Sequence, residues 1–320
     1  MSNVAIVGAG AWGSALAVQA CRAGQHVTLV PRDEAAAERM RHDCGTVRLP
    51  GIVFPSGLLV STQVPADSDL LLLAVPTQHI RATLPRLSAT SAAPVVCAKG
   101  VEAGTHLLPL EILAQGLSAR PLGVLTGPNF AHEIAAGRPA ATVMASTDAG
   151  LRERVRLAIG TPGFRVYGND DPIGAQLGGA AKNVIAIAAG TVIGAGLGEN
   201  ARAALITRGL SELSRLTVAL GGRAETVMGL SGLGDLLLTC TGPASRNFSL
   251  GLALGQGQSL ADILAGRTGV TEGVTTAPAL LARAGDIEMP ICRAVSALLA
   301  GAITVPQAME QLLSRPNRDE

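Results

Sequence analysis

Short apolar runs alternate with longer amphipathic segments through the first half of the chain. Val4–Val7, Val27–Val30, Leu70–Val75, Val95–Ala98, Leu122–Leu125, Thr142–Ala145 and Phe164–Tyr167 read as buried strands. Between them, Ser14–Arg22, Ala35–Arg41, Gln78–Leu84 and Leu107–Gly116 have the spacing of helices. Strand and helix alternating in this way predict an α/β fold, with a doubly wound, mainly parallel sheet covered by helices on both faces. Near Asp171-Pro172 the pattern changes. From Ile173 onward no strand is predicted, and helical segments such as Ala201–Leu220 and Arg246–Leu254 stop at glycines. The expected division is therefore residues 1–171 and an all-helical domain over 172–320, with a short polar tail at Arg315–Glu320 and no internal repeat.

One position breaks the apolar pattern of the second domain. From Pro172 to Gly198 the only charged side chain is Lys182, inside Gly178-Gly179-Ala180-Ala181-Lys182-Asn183-Val184-Ile185, which reads as a buried helix. A lysine is almost never fully buried without a partner. Lys182 therefore has a partner, lines a cavity where chemistry happens, or lays its stem along apolar neighbours to reach water. The apolar run Val184–Gly198 is too short to span a bilayer.

Composition narrows the functional classes. Aromatics make up 2% of the chain, so the core is built from small and branched aliphatics, and 39 glycines allow close backbone approach. Net charge is +1 with basic residues scattered, which argues against a nucleic-acid groove or a membrane-surface patch. Cys21, Cys44, Cys97, Cys240 and Cys292 lie far apart, as reduced apolar packers do, and this points to the cytoplasm. The histidines are equally dispersed and offer no metal-ligand cluster. The first strand begins too early for a signal peptide.

Gly8-Ala9-Gly10-Ala11-Trp12-Gly13 follows the first strand and opens a helix. Its glycines suit a tight turn, close approach to a pyrophosphate and close helix–strand contact, while the helix N-terminus faces the phosphates. At the end of the second strand, Arg32 suits the 2′-phosphate of NADP(H) and Asp33 suits the ribose of NAD(H).

Three clusters offer chemistry. Lys99 follows a strand end, where open α/β sheets bind ligands, or is an ordinary loop lysine. Asp235 either faces a substrate or caps the segment Leu236–Cys240. Ser245, Arg246 and Asn247 make a phosphate cradle at a helix start, or else a cap and a surface charge. There is no G-x-S-x-G and no Walker A run, which excludes the corresponding hydrolase and phosphoryl-transfer signatures.

Together these residues resemble the bacterial-type NAD(P)-dependent glycerol-3-phosphate dehydrogenase family. The carriers are Gly8-x-Gly10-x-Trp12-Gly13, Ala98-Lys99-Gly100, Gly127-Pro128-x-Phe130-Ala131, Gln176–Asn183, Asn200–Gly209, Gly232–Asp235, Thr239-Cys240-Thr241, Ser245-Arg246-Asn247 and Glu272-Gly273. The resemblance implies a Rossmann-like N-terminal domain, a helical C-terminal domain, and reduction of dihydroxyacetone phosphate by NAD(P)H for phospholipid synthesis. It implies Lys182 as the catalytic residue. Lys99, Gly127, Asn129, Asp235, Ser245, Arg246 and Asn247 match substrate contacts. Ala11, Trp12, Arg32, Ala131, Val270 and Glu272 match cofactor contacts, with Lys99 and Arg246 near both ligands. NADP(H) is the preferred cofactor on this reading, with NAD(H) kept open, and a homodimer through the helical domain is compatible with it.

Three positions depart from the family pattern. Asn129 replaces the usual Ser or Thr, Phe248 replaces a frequent second Arg after Ser-Arg-Asn, and Pro31 is unexpected at the end of the second strand. One rival is a β-hydroxyacid or 6-phosphogluconate-type dehydrogenase, whose usual K-x-x-x-N spacing contrasts with the adjacent Lys182-Asn183. A second is a non-catalytic NADP(H)-binding sensor, which leaves Lys99, Lys182 and Asp235 without a purpose.

Overall fold

A computed structural model describes residues 1–117, 119–267 and 269–314. The expected tail Arg315–Glu320 lies outside the described residues. The chain divides into two compact units, one of residues 1–99 and 108–176, the other of residues 100–107 and 177–320.

The first unit is built on one eight-stranded sheet. Its strands are β1 (Asn3–Val7), β2 (His26–Val30), β3 (Leu58–Val60), β4 (Leu70–Leu73), β5 (Ala93–Val96), β6 (Gly123–Thr126), β7 (Ala140–Ala145) and β8 (Phe164–Asn169), in the order β3-β2-β1-β4-β5-β6-β7-β8. All neighbours are parallel except β6 and β7. Ile6, Leu29 and Leu72 are fully buried in its core, each contributing about 1.5–3 kcal/mol relative to exposure. The expected strands all form. β3 is an addition to them: its three residues lie on the sheet edge, and Leu59 is 65% exposed, so no apolar run marks it.

Register places functional loops side by side. Val7 pairs with Val30 on one flank and with Leu73 on the other, Leu73 with Val96, and Val96 with Val124. The segments leaving β1, β2, β4, β5 and β6 therefore emerge along one edge. The helix after β1 begins at Ala11, earlier than expected, inside the glycine fingerprint itself.

The second unit contains no strand among its described residues. Its central helix, Pro172–Gly194, starts in the first unit's sequence and runs on into the second. It begins well before the apolar run Val184–Gly198, and its 23 residues, with a most apolar window of mean hydropathy 1.4, make it long and apolar enough to cross a membrane. However, 89% of its apolar window is buried inside the protein. Helix Arg246–Gly255 crosses it at glycine-to-backbone contact. A Cβ on Gly190 would lie 2.0 Å from the Phe248 carbonyl oxygen, and one on Gly194 2.1 Å from that of Leu252. From the other side, a Cβ on Gly251 would lie 1.9 Å from the Ile187 oxygen, and one on Gly255 2.4 Å from that of Thr191.

Candidate active site

In the first unit, the three fingerprint glycines differ in geometry. Gly8 has φ 106 and donates its N–H to the Val30 carbonyl at 2.9 Å, making the tight turn. A Cβ on Gly13 would lie 1.8 Å from the Gly8 oxygen, so the helix packs hard onto the turn. A Cβ on Gly10 would meet nothing within 4 Å. The turn is therefore bare beside Gly10, as the close approach of a pyrophosphate would require, and the residues present fit a dinucleotide.

Ala11, Trp12 and Ala131 are partly buried against the sheet core. Cys97, at the end of β5, is fully enclosed, and burial pushes its thiol up to about 12. At the end of β2 the Arg32 side chain is 92% exposed, and its Nε lies 3.1 Å from Asp33 Oδ2. Asp33 caps the helix Glu34–Asp43 by accepting the Ala36 N–H at 2.9 Å. That amide, and then Arg32, hold its carboxyl below the usual range. Of the two residues expected to read the cofactor's ribose, Asp33 is thus engaged in capping, while the Arg32 side chain is 92% exposed.

Lys99 Nζ donates to the Gly127 carbonyl at 3.0 Å, which joins the loops after β5 and β6. Gly127 has φ 141, and its missing side chain leaves the backbone against Thr142. Asn129 is fixed by two donations from Nδ2, to the carbonyls of Pro128 at 2.9 Å and Ala141 at 2.8 Å. Its Oδ1 is buried without a hydrogen-bond partner.

In the second unit, Lys182 is 7% exposed and Asp235 0%. Lys182 Nζ lies 2.5 Å from Asp235 Oδ1 and donates to Thr239 Oγ1 at 3.0 Å. The alternative in which Lys182 reaches water is overturned. So is the capping role of Asp235: the π-helical turn Leu230–Gly234 runs straight into helix Asp235–Cys240, leaving the carboxylate to pair with the lysine. Close packing fixes that turn, since a Cβ on Gly178 would lie 2.4 Å from the Ser231 oxygen. Thr239, one helical turn after Asp235, donates to the Asp235 carbonyl at 2.6 Å. Cys240 beside them is pushed up to about 12, mainly by burial, and feels the charges of Lys182, Asp235 and Arg202.

Ser245 caps helix Arg246–Gly255 by accepting the Phe248 N–H at 3.2 Å. Asn247 donates to Asn183 Oδ1 at 2.8 Å and accepts the Gly273 N–H at 3.0 Å. These bonds tie the Lys182 helix, the Ser245–Asn247 segment and the start of helix Glu272–Ala284 together. Arg246 is exposed; Glu272 is half-buried and Val270 is 48% exposed.

Sequence comparison decides the family. The pattern of the NAD-dependent glycerol-3-phosphate dehydrogenase N-terminus matches residues 3–151, and that of the C-terminus matches residues 171–310. The chain belongs to the NAD-dependent glycerol-3-phosphate dehydrogenase family. It is accordingly an oxidoreductase. It is 57% identical to a glycerol-3-phosphate dehydrogenase [NAD(P)+] of Acidiphilium cryptum, over 99% of this chain and 98% of that protein. It is 49% identical to a protein of the same name from Gluconobacter oxydans, over 98% and 97%. The crystal structure of glycerol-3-phosphate dehydrogenase from Coxiella burnetii superposes with a TM-score of 0.93 at 36% identity, covering 98% of this chain and 99% of that one.

Within this family member, two residues that sequence reasoning read only as parts of the family pattern, with no role in the site, take part in it. Thr239 carried a signal, since it falls four residues after Asp235 and so on the same helix face. Asn183 stood beside Lys182, but nothing local foretold its bond to Asn247.

Proposed function

We propose that this dehydrogenase reduces dihydroxyacetone phosphate to sn-glycerol 3-phosphate, reversibly and with NAD(P)H, and that Lys182 is the proton donor. The buried Lys182–Asp235–Thr239 group carries this reading. When bound, the reduced nicotinamide supplies the hydride. Negative charge then develops on the ketone oxygen, and a donor within hydrogen-bond reach must neutralise it. Lys182 gives that proton, while Asp235 and Thr239 fix the ammonium's direction. In the oxidative direction Lys182 takes the proton back.

Residues 1–171 act on this reading as the dinucleotide-binding domain and 172–320 as the substrate domain. Gly8, Gly10, Ala11, Trp12 and Gly13 receive the dinucleotide, with Ala131, Val270 and Glu272 as further contacts and Arg32 reading a 2′-phosphate. NADP(H) is preferred and NAD(H) accepted. Lys99, Gly127, Asn129, Ser245, Arg246 and Asn247 hold the substrate, with Arg246 and helix N–H groups on its phosphate. Holding the phosphate positions the carbonyl, which lowers the barrier. The enzyme works in the cytoplasm and supplies the glycerol backbone of phospholipids, and a homodimer through its helical domain is compatible with this reading.

The test is consumption of NADPH, then NADH, by purified protein with dihydroxyacetone phosphate. Rapid turnover with product identified as the sn-3 isomer supports the assignment. Cofactor binding without turnover on this substrate removes it.

A further inference from the structure

Two arginines of the helical unit are brought together without a counter-charge. Arg246 is the first residue of helix Arg246–Gly255, and Arg267 follows the short helix Leu260–Ala265. Arg267 Nη1 donates to the Arg246 carbonyl at 2.8 Å, and its Nη2 donates to Ser249 Oγ at 3.1 Å. The Arg246 guanidinium packs against Gly269, where a Cβ would come within 2.9 Å of Nη1. Burial and then the positive charge of Arg246 lower the pKa of Arg267, so the two cations feel one another. Among the described residues neither guanidinium has a carboxylate partner. The repulsion between like charges is relieved when an anion joins them.

The neighbouring sequence gives the pair a meaning. Phe248, two residues after Arg246, is 3% exposed and packed into the helical core, so that turn of the helix adds no second charge beside Arg246. A charge absent from the helix is thus present on a different loop, anchored to the same helix turn through Arg246 and Ser249.

We propose that Arg267 is a specificity-determining residue that joins Arg246 in binding the phosphate monoester of a ligand. This rests on the dehydrogenase reading above. A planar guanidinium suits a phosphate because its paired donors match two oxygens of the dianion. Two ligands of that reaction carry such a group: the triose phosphate, and NADPH at its 2′ position.

The experiment compares wild type with Arg267→Gln, which keeps donors for the Arg246 carbonyl but loses the charge, and Arg267→Lys, which keeps the charge. KM is measured for dihydroxyacetone phosphate, NADPH and NADH, and Tm is followed with added inorganic phosphate. Arg267→Gln should raise KM for a phosphate-bearing ligand about 10-fold, the loss of one charge-assisted contact, with Arg267→Lys recovering most of it. A rise for NADPH but not NADH assigns the 2′-phosphate; a rise for the triose phosphate with either dinucleotide assigns the substrate. Unchanged KM values throughout overturn the proposal. Equal losses in both variants, with lowered Tm, overturn it too, because they mark a purely structural tether. If wild type fails to turn over the triose phosphate, the dehydrogenase reading falls. A phosphate-induced rise in wild-type Tm that Arg267→Gln abolishes would still uphold the anion site.

Discussion

Lys182 Nζ sits 2.5 Å from Asp235 Oδ1 in a site from which solvent is almost excluded on both sides. Such a pair gains its attraction only by overcoming the desolvation of two ions, so each partner depends on the other. Removing one charge strands its opposite.

Activity and stability should therefore separate in a double-mutant series. Lys182→Met should lower kcat about a hundredfold to ten-thousandfold, the range for a general acid. Asp235→Leu should destabilise the fold by about 3–5 kcal/mol in urea unfolding, since it leaves a buried cation alone. Lys182→Met combined with Asp235→Leu should regain much of that stability while remaining inactive. A double variant no more stable than Asp235→Leu would show that the pair is not the coupled unit described.

The fingerprint glycines should respond in opposite ways. Gly10 has φ -75 and open space where a Cβ would stand, so alanine fits the folded protein. Gly10→Ala should leave Tm unchanged and raise KM for both NADPH and NADH. Gly13→Ala forces a Cβ into the Gly8 carbonyl and should lose about 1–3 kcal/mol of stability or more. Thermal melts and cofactor titrations on the two variants check both halves.

On the proposed reading Arg32 reads the 2′-phosphate of NADPH, and its partner Asp33 is committed to capping. Arg32→Ala should raise KM for NADPH much more than for NADH, read from initial rates. Parallel changes for the two dinucleotides would dismiss Arg32 as the reader of the 2′-phosphate.

Much of this was legible in the chain, for identifiable reasons. The strands of the sheet interior announce themselves because both faces are buried, and Lys182 stands out because nothing else near it is charged. Its partner was ambiguous: Asp235 lies 53 residues away and reads locally as a helix cap. Only the π-helical turn, held by the Gly178 contact, turns that carboxylate inward. β3 escaped notice because a three-residue edge strand has no periodicity to display. Arg267 escaped because an arginine between glycines reads as an ordinary loop charge.

Glu212 gives a pH signature independent of catalysis. It is 3% exposed, and its carboxylate accepts the N–H groups of Ile291 at 2.6 Å and Cys292 at 3.2 Å at the start of helix Pro290–Leu299. Burial raises its pKa above the ordinary 4.5, against the lowering effect of those amides. A raised folded-state pKa favours the protonated form in the fold. Its contribution is fully present below 4.5 and is lost as pH climbs through the folded value. Glu212→Gln should remove that slope, so its Tm relative to wild type should improve as pH rises above 4.5. A Tm difference that stays flat with pH would refute the assignment.

Where helices Pro172–Gly194 and Arg246–Gly255 cross, the protein reverses a familiar engineering rule. Alanine is the better helix former by about 1 kcal/mol, and glycine-to-alanine exchange is a routine route to thermostability. At Gly190, Gly194, Gly251 and Gly255 the added methyl would collide with the opposing backbone rather than with a side chain able to turn away. A saturation-mutagenesis map should therefore show four intolerant positions, spaced four apart on each helix. A stabilisation library for this enzyme should leave those four codons untouched.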